Sequence, residues 1–137
     1  MARIGARDTK PELLVRRGLH ARGFRYRLHV RGLPGRPDIV FPKYRALVFV
    51  HGCFWHGHDC SLFRLPATRS EFWSAKIASN RRRDDEVLTG LEAAGWRALV
   101  VWECGLRGTG RIGLAEVLDR CEAWLGSSAG RGEIRGA

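Results

Sequence analysis

Lysine is nearly missing from this 137-residue chain, which has only Lys10, Lys43 and Lys76 among its 24 basic residues. Acid is scarce as well, at 14 residues, and the formal net charge is +10 at pH 7. No uninterrupted apolar run approaches the roughly 20 residues of a membrane span. The charged-then-apolar pattern of a secretory signal is missing too, so a cytoplasmic protein without a membrane partner is expected. No internal repeat and no heptad pattern occurs. With only four cysteines in a reducing compartment, a disulfide framework is excluded in favour of metal binding or plain burial.

What is present is a composition of ordinary globular type, 45% hydrophobic and 28% charged, enough for one domain with its own core. Residues 1–125 read as that domain. Residues 126–137, rich in glycine and serine, carry too little apolar surface to fold and are expected to be a disordered tail. The bases are overwhelmingly arginine, whose planar donor fork suits phosphate, and this points to nucleic acid. The alternative is an arginine-rich codon bias on a solvated surface.

Thr9-Lys10-Pro11-Glu12 has the spacing of a capping box and predicts a helix to about Arg22, stopped by Gly23. Read alone, Glu12 is then a cap. Phe24–Leu28 alternates as a half-buried strand. The segments 38–41 and 46–50 flank Pro42-Lys43-Tyr44-Arg45 as a hairpin in which Phe41 opposes Ala46. Asp38 then falls opposite Phe49 or Val50, next to His51. Thr68-Arg69-Ser70-Glu71 predicts a second cap and helix. The charged run Arg81–Glu86 leads into a separate helical stretch stopped at Gly95. Residues 96–102 suit a central strand and 112–125 a last amphipathic helix. The connection from strand 46–50 to strand 96–102 is long enough for a crossover, so the two are expected to be parallel with their C-terminal ends on one edge.

At that edge lies Val50-His51-Gly52-Cys53-Phe54-Trp55-His56-Gly57-His58-Asp59-Cys60, which holds three of the five histidines and two of the four cysteines. Cys53, His58 and Cys60, with Cys104 brought in by the crossover, make a donor set that tetrahedral zinc takes. The alternative is ordinary burial; Cys121, without a partner, reads as core. His51 and His56 beside Asp38 suit phosphodiester hydrolysis, in which a carboxylate holds Mg²⁺ and a neutral imidazole takes a proton from water. Phe54 and Trp55 either pack inward or project as wedges that unstack base steps.

His51-Gly52-Cys53-Phe54-Trp55-His56, with His58 and Cys60 and the preceding Leu33-Pro34-Gly35-Arg36-Pro37-Asp38, resembles the very-short-patch-repair (Vsr) DNA mismatch endonucleases. Pro66-Ala67-Thr68-Arg69, Glu71-Phe72-Trp73 and Val101-Trp102-Glu103-Cys104 extend the resemblance over about Thr9 to Leu125. It implies a restriction-endonuclease-like α/β fold with a structural zinc, and a Mg²⁺-dependent enzyme that nicks duplex DNA 5′ to the thymine of a T:G mismatch left by deamination of 5-methylcytosine. By the same resemblance Asp38 holds the metal together with the Val50 backbone carbonyl, and His56 is the general base. His51 is a second active-site histidine, Glu12 an acid from the first helix, and Asp84 an acid orienting a histidine. Cys53, His58, Cys60 and Cys104 match zinc ligands. Phe54 and Trp55 match the aromatic residues that wedge beside the mismatch, Trp73 is expected to bind DNA, and Arg81 and Arg82 are expected to hold phosphates. A monomer acting at the bacterial nucleoid is expected, with mismatch-repair proteins as further partners.

Two departures stand out. Val50 replaces a threonine, which removes a hydroxyl but keeps the carbonyl. The arm ahead of the first helix is short, and either a weaker grip on the mismatch or a true start further upstream is expected. The second carboxylate followed by lysine of nucleases at large is absent. Three rivals remain: a related host-defence nuclease with another DNA target, a non-catalytic zinc-dependent DNA-binding module, and a small phosphate-ester hydrolase, against which the basic charge argues.

Overall fold

The computed structural model describes residues 9–137; the short arm ahead of the first helix lies outside the described residues. The first helix, α1 (Lys10–Ala21), starts where the capping spacing predicts, with Thr9 accepting from the Glu12 amide at 3.4 Å. Among the described residues, only that half of the capping box bears on the backbone. The Glu12 carboxylate instead accepts from Arg16 at 2.9 Å.

Strand β1 is shorter than the alternation suggests. Only Arg27–Leu28 pair, and both are exposed. Phe24 and Tyr26 spend their apolar surface on Phe41, edge-to-face at 6.2 and 5.8 Å between centroids. β2 (Ile39–Phe41) and β3 (Ala46–His51) form the expected hairpin, with Phe41 opposite Ala46 and Ile39 opposite Val48. β4 (Arg97–Trp102) runs parallel to β3, Ala46 pairing with Arg97 and His51 with Trp102.

The crossover between β3 and β4 is a single helix, α2 (Ser70–Ala93), where two stretches are expected. The run Arg81–Glu86 contains no Gly or Pro, and its charged side chains either face solvent or, at Arg83 and Asp84, line the cleft, so nothing interrupts the backbone ladder there. The second capping box does not form. Arg69 occupies the cap in the left-handed region, φ 56°, without a side-chain hydrogen bond. After α3 (Leu114–Leu125) comes a strand in place of the expected disordered tail: β5 (Gly132–Ile134) pairs in parallel with β4. Ile134 is 3% exposed, and a single buried residue is too weak a periodic signal to mark a strand in advance.

The mixed five-stranded sheet therefore has the order β1-β2-β3-β4-β5. Side chains alternate between its faces. Ile39, Phe41, Ala46, Val48, Leu99 and Val101 pack with Val15 and Leu19 of α1 and Val117, Cys121 and Leu125 of α3. Val40, Leu47, Phe49, Ala98 and Val100 pack with Leu91 of α2. Cys121 is core, and burial lifts its thiol to about 12. Among the described residues no helix is long and apolar enough to cross a membrane.

Candidate active site

The parallel pairing of β3 and β4 brings their C-terminal ends to one edge, as open α/β sheets do at their sites. A cleft of about 920 Å³ opens there. Asp38, Val50, His51, Phe54, Trp55, His56, Trp73 and Asp84 all line it.

Asp38 lies one residue before β2, and its Oδ2 accepts the Val50 amide of the neighbouring strand at 2.7 Å. The Pro34-Gly35 turn that delivers it packs on α2. Gly35 has φ +75°, and a Cβ there would meet Val87 Cγ1 at 2.5 Å, so only glycine fits. Burial pushes the Asp38 carboxyl up to about 7, against the Val50 hydrogen bond, and nearby Glu12 adds to the rise. Glu12 is 1% exposed and does not line the cleft. Its Oε2 is held by Arg16 and by His29 Nε2 at 3.1 Å. His29 was not singled out in the sequence. It stands just after β1 at φ 52°, and no local pattern pairs it with a helix 17 positions earlier.

His56 Nδ1 meets Asp84 Oδ2 at 2.5 Å. The carboxylate can only accept, so the proton sits on Nδ1 and Nε2 is left with a lone pair. His51 stacks on His56 with centroids 3.8 Å apart and planes 3° from parallel. Burial, and the two histidines nearby, hold the His51 ring well below the usual histidine range, so it is neutral. A neutral ring can lie face to face with His56 without opposing a charge on it. Gly57 (φ +61°) lets the loop that carries His56 lie close against α2, where a Cβ would meet Ile77 Cγ2 at 2.4 Å. Asn80 secures the same loop from α2 by donating to the Trp55 carbonyl at 2.8 Å.

On the rim, Trp55 is 46% and Phe72 is 47% exposed. Phe54 is edge-on to Trp73 at 5.5 Å and to Trp55 at 5.1 Å. The aromatic residues thus form a connected ridge on the cleft wall. Neither Arg81 nor Arg82 lines the cleft; Lys76 and Arg83 do. The spacing contains that signal, because Trp73, Lys76, Asn80, Asp84 and Val87 recur at helical intervals on one face of α2, with Arg83 beside Asp84.

Behind the loop, Cys53, His58, Cys60 and Cys104 converge, their ligand atoms all within 4.8 Å of one another. His58 Nδ1 is 3.6 Å from Cys53 Sγ and 3.5 Å from Cys104 Sγ. A tetrahedral zinc with Zn–S of about 2.3 Å and Zn–N of about 2.05 Å implies N···S separations of about 3.5 Å, so this set fits the ion. Burial, with Cys60 adding to it, raises the Cys53 and Cys104 thiols above their ordinary range, and a bound cation offsets that cost. The His58 ring stacks on Trp102 at 3.9 Å, and Glu103 Oε1 accepts the Cys53 amide at 3.1 Å. The Asp38 site offers hard oxygen donors and a carboxyl strained by Glu12, which suits a hard divalent cation.

The sequence model of the family described as DNA mismatch endonuclease Vsr matches residues 1–62. The type II nicking enzyme V.XorIIP of Xanthomonas oryzae pv. oryzae is 49% identical over 121 residues, covering 87% of this chain and 89% of that protein. DNA mismatch endonuclease Vsr of Escherichia coli is 45% identical over 125 residues, covering 91% and 80%. The type II nicking enzyme V.NmeAIP of Neisseria meningitidis is 47% identical over 107 residues, covering 78% and 76%.

Proposed function

The chain belongs to the family of Vsr DNA mismatch endonucleases, and from that premise we propose that it nicks duplex DNA 5′ to the thymine of a T:G mismatch, with Mg²⁺ as its catalytic cation. The observation that carries this reading is the convergence, in one cleft, of the His56–Asp84 pair, the stacked His51 and the half-buried Asp38, beneath an aromatic ridge. The five-stranded sheet with helices on both faces is consistent with a restriction-endonuclease-like arrangement.

In this reading Asp84 fixes the His56 tautomer and steadies the imidazolium that forms as Nε2 takes a proton from water. His51, neutral and buried, supports the ring from one side. Asp38 and the Val50 carbonyl would hold Mg²⁺, which when bound supplies Lewis-acid stabilisation of charge on the phosphate. Glu12 stands behind Asp38 and, with Arg16 and His29, sets its position. Cys53, His58, Cys60 and Cys104 would hold zinc, whose closed coordination makes the loop carrying Phe54, Trp55 and His56 rigid. Trp55, Phe54 and Trp73 would enter beside the mismatch, where the weakened pair lowers the cost of unstacking. Lys76 and Arg83, on the cleft wall, would meet phosphates, and Arg81 and Arg82 would reach the backbone further out.

A nicking assay on T:G duplexes in varied sequence contexts, with and without Mg²⁺, tests this. Nicking of the thymine strand that needs Mg²⁺ and vanishes in Asp38→Ala is the expected result. Equal cutting of matched duplexes would favour a defence nuclease, and no cutting of any duplex would leave a binding module.

A further inference from the structure

Residues 132–137 run beside β4 and finish across the cysteine–histidine cluster. Gly132, Glu133 and Ile134 pair with Leu99, Val100 and Val101. Arg135 then reaches the ligand loop, donating from Nη1 to Asp59 Oδ1 at 2.6 Å and from Nη2 to the Asp59 carbonyl at 3.2 Å. The Gly136 amide donates to Cys104 Sγ at 3.3 Å. Glu133 Oε2 stands 3.7 Å from His58 Nε2. Gly136 is wedged so tightly that a Cβ would meet the Cys104 carbonyl at 2.4 Å and the Gly110 carbonyl at 2.7 Å.

We propose that Arg135 and Gly136 are positioning residues of the zinc site, forming a clasp that sets how long the cation is retained. The proposal rests on the reading of Cys53, His58, Cys60 and Cys104 as zinc ligands. Cys104 follows directly from a sheet strand, whereas His58 and Cys60 sit on a loop arm with Asp59 between them. Asp59 is exposed, so the arm's outer side faces water unless something ties it down. Arg135 ties it with two hydrogen bonds to one residue, flanked by a ligand on each side. Gly136 ties the same segment to the third ligand's sulfur. Side chains and amides that hold ligands in this way typically change metal affinity about 10–100-fold when removed. Because the Arg135–Asp59 pair is solvent-facing, its loss does little to overall stability. Metal retention and fold stability should therefore separate.

The test uses the full chain as wild type, Arg135→Ala, Arg135→Lys, Gly136→Ala and, as a distant control, Arg22→Ala, which breaks a surface pair with Asp119. Zinc per chain is measured by atomic absorption, and zinc transfer to a colorimetric chelator is followed in time. The Co²⁺-loaded forms are compared by absorption. Arg135→Ala and Gly136→Ala should release zinc about 10–100-fold faster than wild type, while Arg22→Ala is unchanged. Arg135→Lys should recover only part of the loss, since an ammonium cannot span both Asp59 oxygens as the guanidinium does. The thiolate-to-cobalt band of Gly136→Ala should shift, which a loss of general stability would not cause. If wild type holds one zinc and both variants release it at the wild-type rate, the clasp is overturned while the metal site stands. A wild-type chain that takes up no zinc overturns both.

Discussion

Replacing Asp84 by Asn should remove most of the nicking activity while leaving the cleft in place. The carboxylate can only accept, and at 2.5 Å from Nδ1 it forces the proton onto that nitrogen. An asparagine can turn its NH₂ toward Nδ1, which drives the proton to Nε2, and the base is then blocked. In a Ser-His-Asp triad the equivalent change costs about 10⁴-fold. Here the two side chains are 24% and 26% exposed, so water can take over part of the orienting role. A loss of about 10²–10³-fold in single-turnover rate is expected, or about 3–4 kcal/mol of transition-state stabilisation. The assay is single-turnover nicking of a T:G duplex with Mg²⁺, beside duplex affinity measured with Ca²⁺ in its place and zinc content per chain. Affinity and zinc should stay within about twofold of wild type, since Asp84 binds neither DNA nor zinc in this reading. Nicking by Asp84→Asn within about threefold of wild type would refute the assignment of His56 as an oriented base.

The Asp38 carboxyl, lifted to about 7 in the folded chain, keeps a proton that the unfolded chain gives up near pH 4. Metal-free stability should therefore fall as pH rises from about 4 through about 7, by up to about 4 kcal/mol. Asp38→Asn should match wild type near pH 4 and melt several degrees higher at pH 8 without metal, yet fail to nick; identical melting curves at pH 8 would contradict this. Cys104→Ser should lower zinc content and the melting temperature together, and a chelator should do the same to wild type, both read by atomic absorption and thermal unfolding. Arg83→Ala, on the cleft wall, should weaken duplex binding and reduce the slope of log K against log salt by about 1. Arg82→Ala, away from the wall, should change that slope less, and a titration over a salt series would decide between them.

Local patterns in the sequence were enough to mark the strands and the cluster. Within the runs 38–41, 46–50 and 96–102 the strands Ile39–Phe41, Ala46–His51 and Arg97–Trp102 form, because these stretches are rich in buried β-branched and aromatic residues. The hairpin register follows from its four-residue connection, and parallel β3 and β4 follow from the length of the crossover. That is why the sequence alone sets Asp38 beside Val50, and Cys104 with the three ligands of the loop. The charged run in α2 misled because charge is a feature of solvated helix faces as much as of breaks.

What the sequence determined by itself is therefore the donor chemistry and the edge at which it gathers, since both depend on residue type and on connections of fixed length. The tertiary structure decided which partners the charged and imidazole side chains take. His29 on Glu12, Asp84 on His56 and Arg135 on Asp59 are contacts between segments far apart in the chain, and no local period records them. It also decided that Gly132–Ile134 is a strand. An edge strand is held mainly by backbone hydrogen bonds to its neighbour, and those are available to almost any sequence that the fold delivers to the right place.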